Sequence, residues 1–179
     1  MSAATQRIVW SQMDSPVGTL VLAVSDKGLC QLTFCKKCDP AVSLQVWCKQ
    51  WFTKPKVERN DHEVLPYKEQ LHEYFQKKRR EFDLPVDLHG TPFQKLVWKQ
   101  LQQIPYGEVR SYKEVAQAMG APKAVRAVGG ANNRNPISIV VPCHRVIGSN
   151  GSLVGYGGGL HIKEYLLNLE GWRSPDQKK

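Results

Sequence analysis

Strand-like apolar runs fill the opening of the chain, and helical apolar stripes dominate the rest. Ile8-Val9-Trp10, Leu20-Val21-Leu22-Ala23-Val24 and Leu29-Cys30-Gln31-Leu32-Thr33-Phe34 are short β-prone runs, divided by the turn sequences Ser15-Pro16-Val17-Gly18 and Asp26-Lys27-Gly28. They predict a small antiparallel sheet. Two helical patterns follow, Pro40 to Phe52 and Val64 to Lys78, the second placing Leu65, Leu71, Tyr74 and Phe75 largely on one face. The fold class is therefore α+β, with a first domain over residues 1–84. The run Leu84-Pro85-Val86-Asp87-Leu88-His89-Gly90 carries too much turn chemistry for a helix and reads as an extended connection over 85–91.

A mostly helical second domain is expected over 92–173, with a basic tail at 174–179. Thr91 can cap a helix with Pro92 at its first position, and Phe93, Leu96, Val97, Leu101 and Ile104 supply a stripe that ends at Pro105-Tyr106-Gly107. Ser111 can cap a short helix over Tyr112 to Met119, with Val115, Ala116 and Met119 inward and Gly120 closing it. A third helix runs from Lys123 to about Asn133, rich in small and basic residues. Short helix, glycine turn and second helix make a helix-turn-helix, although close packing through small residues explains the same pattern. Ile137 to Val141 then reads as a buried extended segment, which Pro142 stops just before Cys143.

Charge sharpens this picture. Lys plus Arg number 25 against 16 Asp plus Glu, a net +9, and residues 91–179 hold +7 of it. The excess favours a polyanionic partner and lies in the half that contains Cys143. No apolar stretch reaches the length of a membrane span, and the start MSAATQR lacks the features of a secretory signal, so an intracellular protein is expected. Five cysteines at uneven spacing do not form the framework of a secreted domain, and a reducing compartment keeps a thiol nucleophilic.

Pro142-Cys143-His144-Arg145-Val146 is the chemical centre of the sequence. A buried cysteine is ordinarily a small hydrophobe, which suits Cys30, but His144 and Arg145 would be costly companions in a dry core. An edge or pocket is expected for Cys143. Neighbours on an ideal strand point to opposite faces, so for His144 to serve the thiol either the chain bends or water bridges them.

At these residues the chain resembles the O6-alkylguanine-DNA alkyltransferases, or methylated-DNA–protein-cysteine methyltransferases. Pro-Cys-His-Arg-Val is that family's active-site signature, and it stands in order with Pro105-Tyr106-Gly107-Glu108, Ser111-Tyr112, Ala127-Val128-Gly129, Asn135-Pro136, the Tyr156 to Gly159 loop and Glu170. The first half matches only in Ser15-Pro16-Val17-Gly18 and its layout. The resemblance implies a single-use DNA-repair protein that moves an alkyl group, methyl or larger, from guanine O6 and potentially thymine O4 to Cys143. His144 and Glu170 would activate the thiol, Asn135 would order the turn around it, and Tyr112 would donate to the departing purine or press on a phosphate. Arg126 would fill the space of a flipped nucleotide, and a slim helix carrying Ala124, Ala127, Gly129 and Ala131 would enter the minor groove. Lys123, Arg134 and Ser149 join the implied DNA contacts, and Pro142, Val146, Tyr156 and Gly157 the base pocket. Gly157 would leave room for groups as large as benzyl.

The implied partner is double-stranded DNA carrying O6-alkylguanine, met by a monomer, with no membrane and no cofactor. The compartment would be the nucleus of a eukaryotic host or the cytoplasm of a prokaryotic one. Cys35-Lys36-Lys37-Cys38 has zinc-knuckle spacing, but Cys30 and Cys48 supply no matching second element and Ser25 stands where some family members have a cysteine, so no metal is expected. His62, His72 and His161 read as surface residues, and Lys77-Lys78-Arg79-Arg80 as an import patch or a solvated helix end. Two other classes stay open: a lesion-binding protein without transfer, against which Cys143 argues, and a thiol hydrolase, which lacks an evident oxyanion hole.

Overall fold

Strand β1 (Gln6–Ser15) turns through Ser15–Gly18 into β2 (Gly18–Ser25), and β3 (Gly28–Phe34) completes an antiparallel meander. The first turn is held by the Ser15 hydroxyl, which accepts from Val17 N at 3.2 Å and donates to Gly18 O at 2.6 Å. The computed structural model describes residues 4–35, 39–156 and 158–174. Helix α1 (Pro40–Trp51) follows, with Asp39 capping Ala41 N and Pro40 in the first turn. A fourth strand, β4 (Pro55–Arg59), pairs parallel with β1, giving the order β3-β2-β1-β4. The sheet is thus mixed, and the antiparallel expectation is corrected at its edge. Polar Pro-Lys-Val-Glu-Arg carries little apolar signal because an edge strand has no burial requirement on its outer side, and its proline sits at the first position, where a missing N–H is tolerated.

Both faces of this sheet are buried. Ile8, Trp10, Val21, Ala23 and Cys30 pack with Leu44, Cys48 and Phe52, while Val9, Leu20 and Leu22, of opposite strand parity, are buried as well. Helix α2 (Asp61–Phe75) packs against β1 and β2. It begins three residues before the expected Val64, because Asn60 accepts from Glu63 N at 3.0 Å and caps it, and the helix then tolerates Pro66. Its inner face is Val64, Leu71 and Tyr74; Leu65 is exposed, contrary to expectation. The Pro85–Asp87 stretch belongs to this unit, since Leu29 N donates to Pro85 O and Asp87 N to Leu29 O. Gly28, at φ +135°, admits that approach: a Cβ there would lie 2.4 Å from Pro85 O. The first compact unit ends at His89 and the second starts at Gly90.

In the second unit, Thr91 and Ser111 each form a complete capping box, with Gln94 for α3 (Pro92–Leu101) and Glu114 for α4 (Tyr112–Ala118). Helix α5 (Val125–Asn133) begins two residues later than the sequence suggested and packs against α3 and α4. Val97, Trp98, Leu101, Ile104, Val115, Ala116, Val128 and Ala131 are buried. Leu96, expected inside, is 55% exposed, and Trp98 takes the inner position, its indole N–H donating to Ala131 O at 2.9 Å. Two-residue strands β5 (Arg110–Ser111) and β6 (Val146–Ile147) pair in parallel, and α6 (Leu160–Leu169) closes the unit. No helix among the described residues is long and apolar enough to cross a membrane.

Candidate active site

The expected extended segment Ile137–Val141 is instead a series of turns. It is buried as anticipated, but Val140 N donates to Ser138 O, Val141 N to Ile137 O and Cys143 N to Val141 O. Ile139 sits at φ +73°, where a β-branched residue is strained by about 1–3 kcal/mol. Asn135 braces the turn: its Oδ1 accepts from Ile137 N at 3.0 Å and its Nδ2 donates to Val141 O at 2.7 Å. A polar side chain can replace strand pairing in this way because it supplies both a donor and an acceptor to backbone groups that burial would otherwise orphan.

Pro142 then leads into a 3-10 turn over Cys143–Arg145, where the chain bends instead of continuing as a strand. The Cys143 carbonyl accepts from Asn132 Nδ2 at 3.3 Å. Cys143 itself is 5% exposed. Burial pushes its thiol up, opposed by Asn135, Lys163, Ser138 and Tyr156, so the resting group is a thiol in a polar cage.

His144 and Arg145 are buried too, which corrects the expectation that they would hold the region near the surface. Glu170, at the C-terminal end of α6, meets both. Its Oε2 lies 2.7 Å from His144 Nε2, and its two oxygens take Arg145 Nε and Nη2 at 2.8 and 3.0 Å; Arg145 Nη1 donates to Ile104 O at 2.7 Å. Burial alone would raise the Glu170 carboxyl, but the hydrogen bond from His144 and the charge and hydrogen bonds of Arg145 hold it well below the carboxylate range. Burial lowers His144 and the Glu170 charge only partly restores it. Arg145 therefore keeps Glu170 ionised while the imidazole rests neutral. With a carboxylate facing Nε2, the ring proton belongs there, and Nδ1, which has no hydrogen-bond partner among the described residues, presents its lone pair. Pro105-Tyr106-Gly107 flanks the group, with Tyr106 Oη donating to Leu169 O and the Arg145 guanidinium over its ring.

Cys143, His144, Asn135 and Glu170 thus sit around one turn, and Pro142 and Val146 are buried beside them. The Tyr112 hydroxyl donates to Val154 O at 2.9 Å, and burial raises its phenol, as a Cys143 thiolate would further. Tyr156 is half-buried, and Gly157 lies outside the described residues. Along α5 and its end, Arg126, Ala127, Gly130, Asn133 and Arg134 are exposed at helical spacing, so one outward stripe is small at its centre and basic towards both ends. Lys123 and Ser149 are exposed and Ala124 half-buried. Ala131 is corrected: it faces the core, and Gly129 lies 3.9 Å from the Tyr112 ring by its absent Cβ, so Ala127 and Gly130 make the outward face slim.

Sequence reasoning missed Lys163, fully buried, with its ammonium on Val146 O and on Val154 O at 3.0 Å. Its spacing from Leu160, Ile162, Leu166 and Leu167 on an apolar helix was the available signal. In the first unit, burial pushes the Cys48 thiol up to about 11 and Cys30 higher still. No group of three or more metal-binding side chains gathers among the described residues, and Cys38 lies outside them.

Two family models match the chain: the DNA-binding domain of 6-O-methylguanine DNA methyltransferase over residues 92–172, and the ribonuclease-like domain of the same family over residues 8–88. A methylated-DNA–protein-cysteine methyltransferase of Methanosarcina barkeri is 49% identical over 158 residues, 88% of this chain and 94% of that protein. A constitutive one of Bacillus subtilis is 44% identical over 166 residues, 90% of this chain and 94% of its own. Among solved structures, an O6-methylguanine methyltransferase of Mycobacterium tuberculosis superposes with a TM-score of 0.80 at 43% identity, covering 94% of this chain and 95% of that one. Its complex with DNA gives 0.77 at 42% identity, with 96% of each chain covered.

Proposed function

The chain belongs to the 6-O-methylguanine DNA methyltransferase family, and from that premise we propose that Cys143 takes the alkyl group of an O6-alkylguanine in duplex DNA directly, once and irreversibly. It is a methylated-DNA–protein-cysteine methyltransferase, a DNA-repair enzyme whose partner is DNA. The observation that carries the finer reading is a buried thiol caged by polar side chains beside a neutral imidazole, itself backed by an ionised, Arg145-anchored carboxylate.

Displacement at saturated carbon needs a thiolate in line with the leaving oxygen. His144 Nδ1 takes the thiol proton through water, and the Glu170 carboxylate compensates the imidazolium. Sulfur forms a bond to the alkyl carbon as the carbon–O6 bond breaks, and its electron pair goes to the purine. Tyr112 leaves Val154 O and protonates guanine, and the proton that His144 took from the thiol returns through water to the Tyr112 phenolate, so the proton lost by the thiol and the one gained by the base balance. The lesion must leave the stack first: the outward stripe of α5 enters the minor groove, Arg126 occupies the vacated space, and Lys123, Ala124, Arg134 and Ser149 meet the backbone. The extruded base is taken up by Pro142, Val146, Tyr156 and Gly157. A glycine at 157, the smallest side chain, supports acceptance of O6 groups up to benzyl, with O4-alkylthymine a further substrate. The thioether has no route back to a thiol. The protein acts as a monomer without a cofactor, in the nucleus of a eukaryotic host or the cytoplasm of a prokaryotic one.

Intact-mass measurement after mixing with O6-benzylguanine tests this. One permanent benzyl adduct on Cys143 with an equivalent of guanine released is expected; no adduct, or continued turnover of an ester, overturns the reading. Arg126→Ala should slow repair of duplex DNA far more than reaction with the free base, and equal losses would remove the finger role.

A further inference from the structure

Lys163 is a lysine with no exposed surface, and among the described Lys and Arg residues of its unit only Arg145, which is paired with Glu170, is also buried. Its ammonium donates to Val146 O and to Val154 O, the two ends of one loop. Between them the chain folds back on itself, with Gly148 N donating to Ser152 O and Gly151 N to Gly148 O, and Ser149 exposed at the tip. One side chain from α6 therefore fastens the base of that loop.

The Val154 carbonyl has a second donor. Tyr112 Oη reaches it at 2.9 Å, and the Lys163 ammonium lies 5.8 Å from the centre of the Tyr112 ring. Val154 is itself exposed, but its carbonyl, with two lone pairs, holds both donors and so ties the loop to α4 and α6 at once. For Tyr112 to turn to a purine it must abandon Val154 O. Lys163 is then the side chain that still fixes this end of the loop to the helix bundle.

We propose that Lys163 is the positioning residue of this site: it ties Val146 and Val154 to α6 and keeps the Val154 carbonyl satisfied while the Tyr112 hydroxyl moves to the substrate. The inference rests on the proton-donor role given to Tyr112 above. Lys163 touches no reacting atom; it acts through the loop and through Tyr112. Desolvation lowers its ammonium to about 8, which leaves it largely charged near neutrality, and a Cys143 thiolate favours the charged form. Lys163 thus donates most strongly when the nucleophile is ionised.

Single-turnover transfer from O6-methylguanine duplex, followed by intact mass at saturating DNA, decides the matter with Lys163→Met, Lys163→Arg, Tyr112→Phe and the Met/Phe double variant. Lys163→Met should slow transfer by about tenfold or more, and the double variant should be within about twofold of Tyr112→Phe alone, because without the hydroxyl there is no exchange to support. Lys163→Arg, which keeps donors and charge, should recover most of the rate, and it decides the question if Lys163→Met does not fold. Wild-type rates in Lys163→Met, losses that multiply in the double variant, or an arginine variant as slow as the methionine one would overturn the proposal. If Tyr112→Phe transfers at the wild-type rate, the parent reading of Tyr112 falls and takes this one with it.

Discussion

Three buried cysteines sit in the two units in opposite company. Cys30 and Cys48 lie among Ile8, Trp10, Leu44 and Phe52, and hydrocarbon drives both thiols upward with little opposition. Cys143 is also buried, yet Asn135, Lys163, Ser138 and Tyr156 all act against the burial. Withdrawal from water alone makes a thiol inert. What separates a packing cysteine from a nucleophile in this chain is the polar lining, and that lining exists only where Asn135 and the 3-10 turn replace regular secondary structure.

Removing each sulfur gives the largest contrast. Cys143→Ala should abolish the alkyl adduct completely. Cys48→Ala should leave adduct formation at one per chain and lower stability by about 1–3 kcal/mol, the loss of a small buried side chain. Denaturant unfolding together with intact mass measures both. Adduct formation in Cys143→Ala would break the comparison outright.

A smaller but still severe effect is expected from the ionic group buried in the second unit. Glu170→Gln strips Arg145 and His144 of their anion while leaving them enclosed, which should cost about 3–5 kcal/mol. Acid should do the same by degrees. Glu170 ionises more readily in the folded state, so its contribution is complete above its ordinary value of 4.5 and is lost as pH falls below it; His144, lowered by burial, binds its proton more readily when unfolded, and so adds a loss starting below 6.5. Stability measured from pH 7 to 3 should decline in two stages, and Glu170→Gln should weaken the second, leaving the share of Asp61 and Glu63, whose carboxyls are also lowered, by hydrogen bonds from Ser11 and Arg7. Parallel curves for the two proteins would show that the carboxylate does not couple to folding.

The sequence made the regular parts legible. Thr91-Pro92 and Ser111 start their helices as capping chemistry requires, and three strands follow from apolar runs and turn residues. Where burial and pattern diverge, legibility ended. β4 is an edge strand with a polar sequence, and Leu65 and Leu96 face outward because Val64 and Trp98 hold the inner positions of their helices. At the site, motif resemblance picked out Cys143, His144, Asn135, Tyr112 and Glu170, but the turn over residues 137–141 was read as a strand. Its apolar residues satisfy burial in either shape, and only the reach of Asn135 to Val141 O decides between them. Lys163 was missed for a related reason: a lysine on a helix is ordinarily solvated, and nothing local announces two carbonyls 17 and 9 residues away.

The subtlest distinction between the two kinds of thiol is electrostatic, and Ser138 is its cleanest probe. Asn135 opposes burial more strongly at Cys143, but it also braces the turn, so its removal would mix chemistry with folding. Ser138 is half-buried and stands third among the groups that favour the thiolate. Ser138→Ala should therefore shift the pH dependence of Cys143 alkylation by iodoacetamide to higher pH and slow it a few-fold at pH 8, since a pKa rise of half a unit reduces the thiolate population by about threefold. Cys48 should remain unreactive in both proteins, because nothing around it changes. An unmoved Cys143 profile would mean that the hydroxyl does not stabilise the anion, and the polar cage would then reduce to Asn135, Tyr156 and Lys163.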